Sequence, residues 1–494
     1  MVDFPLWLRI AHFLNIILIT LLIRSGIEIL SAHPKLYTGE NAVDGSEWIR
    51  FTRKKMPKDR LWTSTDEEES FSSLIALPGR SNLGLGRHWH FFNIIFWVAN
   101  GAAYWTLLFA TGEWARLIPT SWDIFPRAWG TAMTYASGHF PPPGEPYNPL
   151  QQLTYAAVVF ILGPFVGATG AAMSPAVGAA FPWYPKIFRG RQTARSLHFL
   201  GLVAFILYII GHITLVVLER FPLNMSNIVF GTSEGATFEL ALILFGLFVV
   251  AVIAVHAWAT QYSLLRPRRV QNMLDAVIAP IRSTILGWTV SVQNFPRSMI
   301  APYFRVNGHP PETEEYKEML KQGFTEWRLR VYGLVKNQQE FSLDDLRAMP
   351  RQTQVTEHSC IQGWTAIGEW GGARVSDILN RCHPLSNARY AVFHSLARGE
   401  RDEYGHGDPN REYYEVIDLR LAEQDHTIVA YEMNGRALPV THGAPARLRV
   451  ETQLGYKMVK WLRSIELIDD YRSIGNGQGG YREDVLHYSI DASI

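Results

Sequence analysis

Long apolar runs fill the first half of the chain and are almost absent from the second half. They fall at roughly 5 to 30, 88 to 111, 151 to 172, 196 to 218 and 236 to 260. Each run is long enough to cross a hydrocarbon core of about 30 Å at a helical rise of about 1.5 Å per residue. The pattern predicts a transmembrane α-helical bundle of five helices within residues 1–265. The first run is too long for a cleaved signal peptide, so we expect it to remain as a membrane helix.

The second half has the short, mixed pattern of a soluble domain. Residues 266–300 are predicted to be a linker whose Arg266, Arg268 and Arg269 suit anionic lipid headgroups. From residue 301, strand-like runs and two short helices alternate, which predicts an α+β domain with a largely antiparallel sheet. The predicted strands lie at 327–332, 390–396, 413–419, 427–433, 448–453 and 458–468, and the predicted helices at 342–349 and 375–382. The domain is expected to end near 470, and the glycine-rich segment 471–494 is predicted to be a flexible tail.

A polar loop at 356–364 carries Cys360, one of only two cysteines in 494 residues. The loop follows a strand-like run and is predicted to precede a helix-like one. So few cysteines exclude a disulfide scaffold, whereas a thiolate is a strong soft ligand for a redox metal. The alternative is that Cys360 is simply a small buried hydrophobe. The net charge of +1 gives no indication of nucleic-acid binding.

Four histidines occupy matched positions in the predicted bundle. His198 and His212 are fourteen residues apart on the fourth span, which places one imidazole near each membrane surface, about 21 Å apart on roughly the same face. His12 lies at the depth of His212, and His90 at the depth of His198. Two such pairs suit two bis-histidine b-type haems, although a lone intramembrane histidine is as often a hydrogen-bonded polar residue. His88 is the alternative to His90, and His33 and His256 are predicted to be interfacial.

An arginine precedes three of these histidines by three residues, at Arg9, Arg87 and Arg195, where it is expected to pair with a haem propionate. The motifs at 24–37, 86–92 and 169–175 resemble the membrane cytochrome b subunits of thiosulfate reductase, formate dehydrogenase and nickel-iron hydrogenase. The resemblance covers about residues 5 to 265. It implies that His12 with His212 and His90 with His198 hold two haems b, and that quinone or quinol is the membrane partner.

The soluble half resembles the molybdopterin-binding domain shared by sulfite oxidase, plant nitrate reductase and the catalytic subunit of periplasmic methionine sulfoxide reductase. The motifs that carry this resemblance occur in order at 360–364, 368–372, 431–435, 442–447 and 459–462. The resemblance implies that Cys360 is the thiolate ligand of molybdenum and the catalytic residue. It also implies a group of residues that hold the pterin and its phosphate: Asn307, Ser395, His442, Arg447 and Lys460. Tyr404, His406, Tyr413 and Tyr414 lie where the family lines its substrate mouth, although a position in a surface loop is the favoured interpretation for each of them.

One position departs from the sulfite oxidase pattern. There an arginine five residues after the cysteine helps to gather the oxyanion, and here that position is Thr365. We therefore predict a membrane-bound molybdopterin oxidoreductase coupled to the quinone pool, more an S-oxide or N-oxide reductase than an oxidase of a small oxyanion such as sulfite. The alternative is a non-enzymatic membrane haem protein for electron transfer or sensing, with a degenerate soluble domain.

The distribution of basic residues predicts the orientation in a bacterial-type inner membrane. The loops on the molybdopterin side contain nine lysines and arginines in 31–87 and four in 173–195. Those on the other side contain one, two and one in 1–10, 111–150 and 219–235. The positive-inside rule then places the catalytic domain in the cytoplasm. The absence of a twin-arginine pair before the first span agrees, whereas the cytoplasmic N-terminus usual in the resembling cytochromes would place the domain outside.

Overall fold

The computed structural model describes residues 4–142, 147–232, 237–286, 294–402, 404–490 and 492. Within them, five helices are long and apolar enough to cross a membrane, as predicted: Leu6–Ala32, Leu83–Ala110, Pro149–Met173, Arg191–Leu218 and Phe238–Leu265. In chain order, the helices of this half are α1 (Leu6–Ala32), α2 (Leu83–Ala110), α3 (Ile124–Ala136), α4 (Pro149–Ala157), α5 (Gly163–Met173), α6 (Pro175–Ala180), α7 (Tyr184–Ile187), α8 (Arg191–Leu218), α9 (Phe221–Phe230), α10 (Phe238–Leu265) and α11 (Pro267–Leu286).

The third span is interrupted in its middle. A π-helical turn at Val158–Leu162 joins α4 to α5, and Pro164 follows at the beginning of α5. Proline has no backbone N–H to donate, so the regular helical hydrogen bonding is broken at this point. The third span therefore contains a local break in α-helical hydrogen bonding beside α8.

Most of the segment predicted as a linker is helix α11. Val270, Leu274 and Ile278 recur every four residues and are buried against α2, in a cluster with Leu85 and Trp89. This spacing gives α11 one apolar face, so the helix lies on the bundle as an amphipathic element. Among the basic residues expected at lipid headgroups, Arg266 and Arg269 are exposed. Arg268 instead donates to the backbone oxygen of Asp484 at 3.3 Å.

The soluble half is an α+β domain, as predicted, but its strands form two five-stranded sheets where one was expected. The strands of the chain are β1 (Lys35–Leu36), β2 (Ile49–Arg50), β3 (Arg328–Gly333), β4 (Gln339–Ser342), β5 (Arg351–Ser359), β6 (Thr365–Arg374), β7 (Tyr390–Arg398), β8 (Glu412–Asp418), β9 (Thr427–Met433), β10 (Arg436–Ala437), β11 (Arg447–Val450) and β12 (Leu462–Ile468). The remaining helices are α12 (Glu314–Lys321), α13 (Leu343–Arg347), α14 (Val375–Cys382), α15 (Leu419–Ala422) and α16 (Tyr481–Leu486).

One sheet has the order β10-β9-β6-β5 with β11 also paired to β9, and the other has the order β4-β3-β12-β7-β8. All of these pairs are antiparallel except β3 with β12. Alternate residues of both sheets, such as Val331, Phe393, Val429 and Ile465, meet in one buried core. The two sheets thus form a rigid base beneath the loops at their edges.

The structure corrects the expected element after Cys360. The chain turns directly from β5 into β6, with Ser359 paired to Thr365, so the Cys360 loop closes an antiparallel hairpin. Gly363 has φ +102°, a conformation that favours glycine and completes this turn. The three glycines of β6, Gly368, Gly371 and Gly372, disfavour a helix, and β6 is held between β5 and β9. The predicted helix begins only at Val375.

The C-terminal segment also differs from expectation, because it is packed rather than flexible. Tyr481, Glu483 and Tyr488 are buried. Lys457 forms buried ion pairs with Glu415, at 3.0 Å, and with Glu483. The segment lies between the molybdopterin domain and the membrane half, since Gln271 of α11 donates to Tyr488 O at 2.9 Å.

A loop of the membrane half, residues 33–82, packs on the molybdopterin domain. Arg305 lies at the centre of this contact and is buried. Its guanidinium donates to Glu67 at 2.6 Å, to the Tyr37 hydroxyl at 2.6 Å and to Ala42 O at 2.9 Å. Lys35 pairs with the same Glu67 at 3.2 Å. One buried ionic network therefore joins the two halves.

We predict that Arg305→Ala destabilises the contact between the halves, because it leaves Glu67 buried with less of its compensating charge. The expected cost is about 3–5 kcal/mol. Thermal unfolding in detergent, with proteolysis of the 33–82 loop as a second readout, measures it. The matched control is Arg330→Ala on the exposed face of β3, for which we expect a change within about 0.5 kcal/mol. Equal stability of the two variants would contradict the assignment.

Candidate functional site

Cys360 lies at the tip of the β5–β6 hairpin and is buried, with 3% of its surface exposed. Its Sγ is 3.4 Å from Gln362 Oε1 and 3.9 Å from Asn307 Nδ2. Burial raises the pKa of the Cys360 thiol to about 12. A thiolate at this position therefore requires a cation at the sulfur, as a bound metal would supply.

A cavity of about 180 Å³ lies next to the Cys360 loop, and its lining includes Asn307 and Trp364, which contact Cys360, but not Cys360 itself. The structure brings all five predicted pterin-holding residues to its wall: Asn307, Ser395, His442, Arg447 and Lys460. They come from four separated stretches of sequence, yet the loop before α12, β7 and the segments around β11 and β12 place them around one space. His406 and Tyr413 also line the cavity. Tyr404 is exposed, and Tyr414 is buried against Asp484.

The cationic wall of the cavity suits an anionic ligand. Lys460 Nζ contacts two carbonyl oxygens, Thr441 O at 3.1 Å and Gly308 O at 3.4 Å. Arg447 donates to His442 O at 3.0 Å and to Met458 O at 3.2 Å. Its Nε is buried and has no hydrogen-bond partner among the described residues. Burial and the neighbouring Arg449 lower the pKa of Arg447, and burial and Arg447 lower that of Lys460. A bound phosphate would offset the electrostatic repulsion between these cations.

His442 and Ser395 have positioning contacts of their own. His442 Nε2 donates to Phe304 O at 3.1 Å. Burial and the nearby Lys460 lower the pKa of His442 to about 4, so its ring is neutral at pH 7. The Ser395 hydroxyl donates to Lys460 O at 2.7 Å and so fixes the backbone that carries the lysine. These donors and cations fit a pterin with its phosphate.

Several residues of the cavity wall were missed by the sequence reasoning. Glu68 comes from the 33–82 loop, and Arg482 and Tyr488 come from the C-terminal segment. Both segments lie outside the stretch of about 300 to 470 that resembles the molybdopterin-binding domain, and neither Glu68 nor Arg482 belongs to a motif that carries a resemblance. Their role appears only when the fold brings them to the hairpin.

The four predicted haem ligands form two pairs in the helical bundle. The ring centroids of His12 and His212 are 6.3 Å apart, and those of His90 and His198 are 6.5 Å apart. A metal–imidazole bond is about 2 Å long, so two rings on opposite sides of one iron have centroids roughly 6 Å apart. The geometry of each pair therefore fits one bis-histidine haem.

Hydrogen bonds at Nδ1 orient three of these rings. His198 Nδ1 lies 3.1 Å from Val166 O, His90 Nδ1 lies 3.1 Å from Ser25 Oγ, and His212 Nδ1 lies 3.4 Å from the Tyr155 hydroxyl. Donation to the Val166 carbonyl leaves Nε2 of His198 available as a ligand. No Nδ1 partner for His12 is found among the described residues.

His88 is held in a different way from His90. Its Nδ1 contacts Gly84 O at 2.6 Å and its Nε2 contacts Asp275 of α11 at 3.2 Å. Both ring nitrogens of His88 therefore contact residues other than His198, whereas the His90 ring lies 6.5 Å from the His198 ring. The geometry favours His90 as the ligand.

Two of the arginines expected to pair with haem propionates donate instead to backbone carbonyls. Arg195 donates to Lys35 O at 2.6 Å and to His33 O, and Arg9 donates to Val229 O at 2.6 Å. His33 was expected at the interface with lipid, but it is fully buried and stacks on Tyr37 at 5.6 Å. The 33–82 loop covers it where the halves meet.

The first turn of α8 contacts the Cys360 hairpin directly. Gln192 Nε2 donates to Gly363 O at 2.9 Å and to the Thr365 hydroxyl at 3.0 Å. Arg191 donates to Glu357 at 2.8 Å and to Ser359 at 2.6 Å. Since His198 lies six residues after Gln192, it is about 9 Å further along the same helix. The His90–His198 pair is therefore the pair nearer to Cys360.

Comparison with known families agrees with this division of the chain. Residues 3–231 match the model of the prokaryotic cytochrome b561 family. Residues 317–474 match the oxidoreductase molybdopterin binding domain. The predicted enzyme class is confirmed, and the matches imply a molybdenum pterin and haem b as cofactors.

Two curated relatives each match part of the chain. The putative protein-methionine-sulfoxide reductase subunit YedZ1 of Azospira oryzae is 32% identical over 220 residues, which are 43% of this chain and 75% of that protein. The protein-methionine-sulfoxide reductase catalytic subunit MsrP of Ralstonia nicotianae is 32% identical over 146 residues, 29% of this chain and 44% of that protein.

Among solved structures, the sulfane dehydrogenase SoxCD from Paracoccus pantotrophus matches at 23% identity. The match covers 31% of this chain and 42% of that chain, and its TM-score of 0.26 is too low to support a shared fold. The assignment of the chain to a family is based on the sequence matches. The chain belongs to the family of YedZ1, and it joins in one polypeptide a region that matches prokaryotic cytochrome b561 and an oxidoreductase molybdopterin binding domain.

Proposed function

We propose that this chain is a membrane S-oxide reductase that takes electrons from quinol. They pass through two haems b, held by His12 with His212 and by His90 with His198, to a molybdopterin bound beside Cys360. The single observation that carries the proposal is the contact of α8 with the Cys360 hairpin, through Gln192 and Gly363. Because α8 also bears His198 and His212, one helix connects both haem sites to the cysteine.

The proposed reaction balances. Quinol is oxidised to quinone and releases two electrons and two protons, and the S-oxide takes up two electrons and two protons to give a sulfide and water. When bound, the molybdenum pterin supplies the two-electron chemistry of oxygen-atom transfer. When bound, haems would carry electrons one at a time between the two-electron reactions of the quinol and of the S-oxide. A quinol in the membrane could then reduce a substrate in the soluble domain.

The chain's own residues bind and position the pterin. Arg447 and Lys460 hold its phosphate, the first as a planar fork and the second as a point charge. Neutral His442 and Asn307 hydrogen-bond to its ring atoms. Trp370 lies under the Arg447 guanidinium at 5.0 Å and excludes water from that side.

Two observations favour an S-oxide over sulfite. The relatives that match each half carry the names of methionine sulfoxide reductase subunits. The position that is arginine in sulfite oxidase is Thr365, which is fully buried and donates to Glu40 O at 2.5 Å. Thr365 joins the halves of the protein and does not gather an oxyanion.

A substrate panel tests the proposal. The purified full-length protein is reduced with a quinol analogue, and reoxidation of the haems is followed after addition of methionine sulfoxide, an N-oxide or nitrate. In a separate arm, sulfite is added to the oxidised protein. We expect reoxidation by the S-oxide and no haem reduction by sulfite. Rapid haem reduction by sulfite, with no reaction of the S-oxide, would overturn the assignment.

Substitution of Cys360 tests the molybdenum site independently of the haem sites. Cys360→Ala is expected to abolish S-oxide turnover, at least a hundredfold, and to leave the haem absorption spectrum unchanged. Cys382→Ala is the matched control, since Cys382 is also buried but lies in α14 within the domain core. It should retain turnover. Full activity of the Cys360 variant would exclude its role as the molybdenum ligand.

Each histidine pair is tested by haem content. We expect His198→Ala to remove the haem nearer to Cys360 and His212→Ala to remove the other, so that each variant binds one haem per chain instead of two. His88→Ala should keep both, because its ring is engaged by Gly84 and Asp275. The pyridine haemochrome assay measures the ratio. Loss of haem from the His88 variant alone would show that the pairs are misassigned.

The excess of lysine and arginine in 31–87 and 173–195 supports a cytoplasmic catalytic domain in a bacterial-type inner membrane. The exposed positions Ser121 and Asn410 lie on opposite sides of the bundle. In intact cells, an impermeant maleimide should label Ser121→Cys, and it should label Asn410→Cys only after the membrane is opened. The two native cysteines are buried and give a low background. The reverse pattern would place the domain outside.

A further inference from the structure

The cavity beside Cys360 contains a cation that the molybdopterin domain itself does not supply. Arg482 belongs to α16 of the C-terminal segment and lines the cavity together with Glu68 and Tyr413. It is partly buried, and its Nε is enclosed without a hydrogen-bond partner among the described residues. Its charge lies within electrostatic range of Cys360. An unsatisfied guanidinium nitrogen here is a donor without an acceptor.

The surroundings of Arg482 leave its charge for a ligand. The hydroxyls of Tyr413 and Tyr488 hydrogen-bond to its guanidinium, the Tyr488 ring lies 5.8 Å from its Cζ, and both of these partners are neutral. The two carboxylates in electrostatic range have other partners. Glu400 pairs with His309 at 3.0 Å, and Glu68 accepts a hydrogen bond from Gln362. A hydrogen bond donated by a guanidinium between aromatic walls is strong, because little water competes for it.

The backbone around Arg482 is clamped on both sides. Glu483, the next residue, pairs with buried Lys457. Asp484 accepts from the Tyr414 hydroxyl at 2.5 Å and from Arg411 at 3.1 Å. From the membrane side, Arg268 of α11 donates to the backbone oxygens of both acidic residues. The guanidinium is therefore held in place before any ligand arrives, which lowers the entropy cost of binding.

The Cys360 hairpin supplies no cation at position 365, where sulfite oxidase has an arginine. Thr365 is committed to Glu40 and Gln192 of the membrane half. Arg447 and Lys460 lie on the wall assigned to the pterin phosphate. Arg482 enters the cavity from a different segment, whose position depends on the same contacts that join the two halves.

We propose that Arg482 binds the oxygen atom of the substrate's S–O bond in the Cys360 cavity, either that of a neutral S-oxide or that of an oxyanion. The inference rests on the proposed function, in that the cavity is the substrate site. The guanidinium donates to the partly negative oxygen and holds it in the cavity next to the Cys360 loop. In this way the C-terminal segment contributes a catalytic residue to a site built by the domain before it.

The test compares Arg482→Gln and Arg482→Lys in the molybdenum-loaded, full-length protein. The control is Arg472→Gln, which removes an exposed arginine of the same segment that pairs only locally with Asp470. Sulfate binding is measured by titration calorimetry, and kcat/KM is measured for a neutral S-oxide. We expect Arg482→Gln to weaken sulfate binding and to lower kcat/KM by roughly tenfold or more, as for loss of a charged hydrogen bond. Arg482→Lys should recover part of both, and Arg472→Gln should match the parent.

Molybdenum and haem contents are measured for every variant. Unchanged sulfate affinity in a fully loaded Arg482→Gln variant would overturn the inference. So would loss of molybdenum from both Arg482 variants, because the residue would then be a cofactor ligand. If the parent protein binds sulfate through Arg482 but reduces no S-oxide, the proposed function fails and the assignment of Arg482 to S–O oxygens stands.

Discussion

The hydrogen bonds between the first turn of α8 and the Cys360 hairpin are the contact on which the rest of the structure depends. Gln192 reaches Gly363 and Thr365, and Arg191 reaches Glu357 and Ser359. Polar groups buried at such a contact are costly unless they are paired, so the pairing fixes one relative position of helix and hairpin. A rigid helix that carries two of the four predicted haem ligands is thereby joined to the loop that carries the predicted molybdenum ligand.

Other segments close around this contact. The 33–82 loop pairs Glu67 with Arg305 and covers His33, while α16 is clamped between Lys457 and Arg268. A small apolar cluster combines Ala32 and Leu83 of the bundle with Ile361 of the hairpin and Tyr488 of the C-terminal segment. Several segments therefore build the cavity: the soluble domain supplies Arg447 and Lys460, the predicted pterin-binding cations, and the flanking segments supply Glu68 and Arg482.

The sequence predicted most accurately those features that depend on local pattern or on a matched motif. The five spans follow from hydropathy alone, and strands such as Arg328–Gly333 follow from alternation over a core. The bounds of the helix Val375–Cys382 were predicted correctly.

The element after the Cys360 loop was predicted as a helix, because the hydrophobic period of a short glycine-rich run is ambiguous. These residues form strand β6 because they pair with β5 on one side and β9 on the other. The packing of α16 was missed because its glycine-rich approach indicates flexibility. Its buried ion pair with Lys457 joins residues far apart in sequence, which no local pattern reveals.

The central claim is that haem and molybdenum exchange electrons within one chain, across the α8 contact. The most direct measurement is the reoxidation rate of quinol-reduced haem after mixing with excess S-oxide, over a hundredfold range of protein concentration in detergent. Electron transfer within the chain predicts a first-order rate constant that does not change on dilution. A rate constant that falls in proportion to protein concentration would contradict the account, because electrons would then pass between separate molecules.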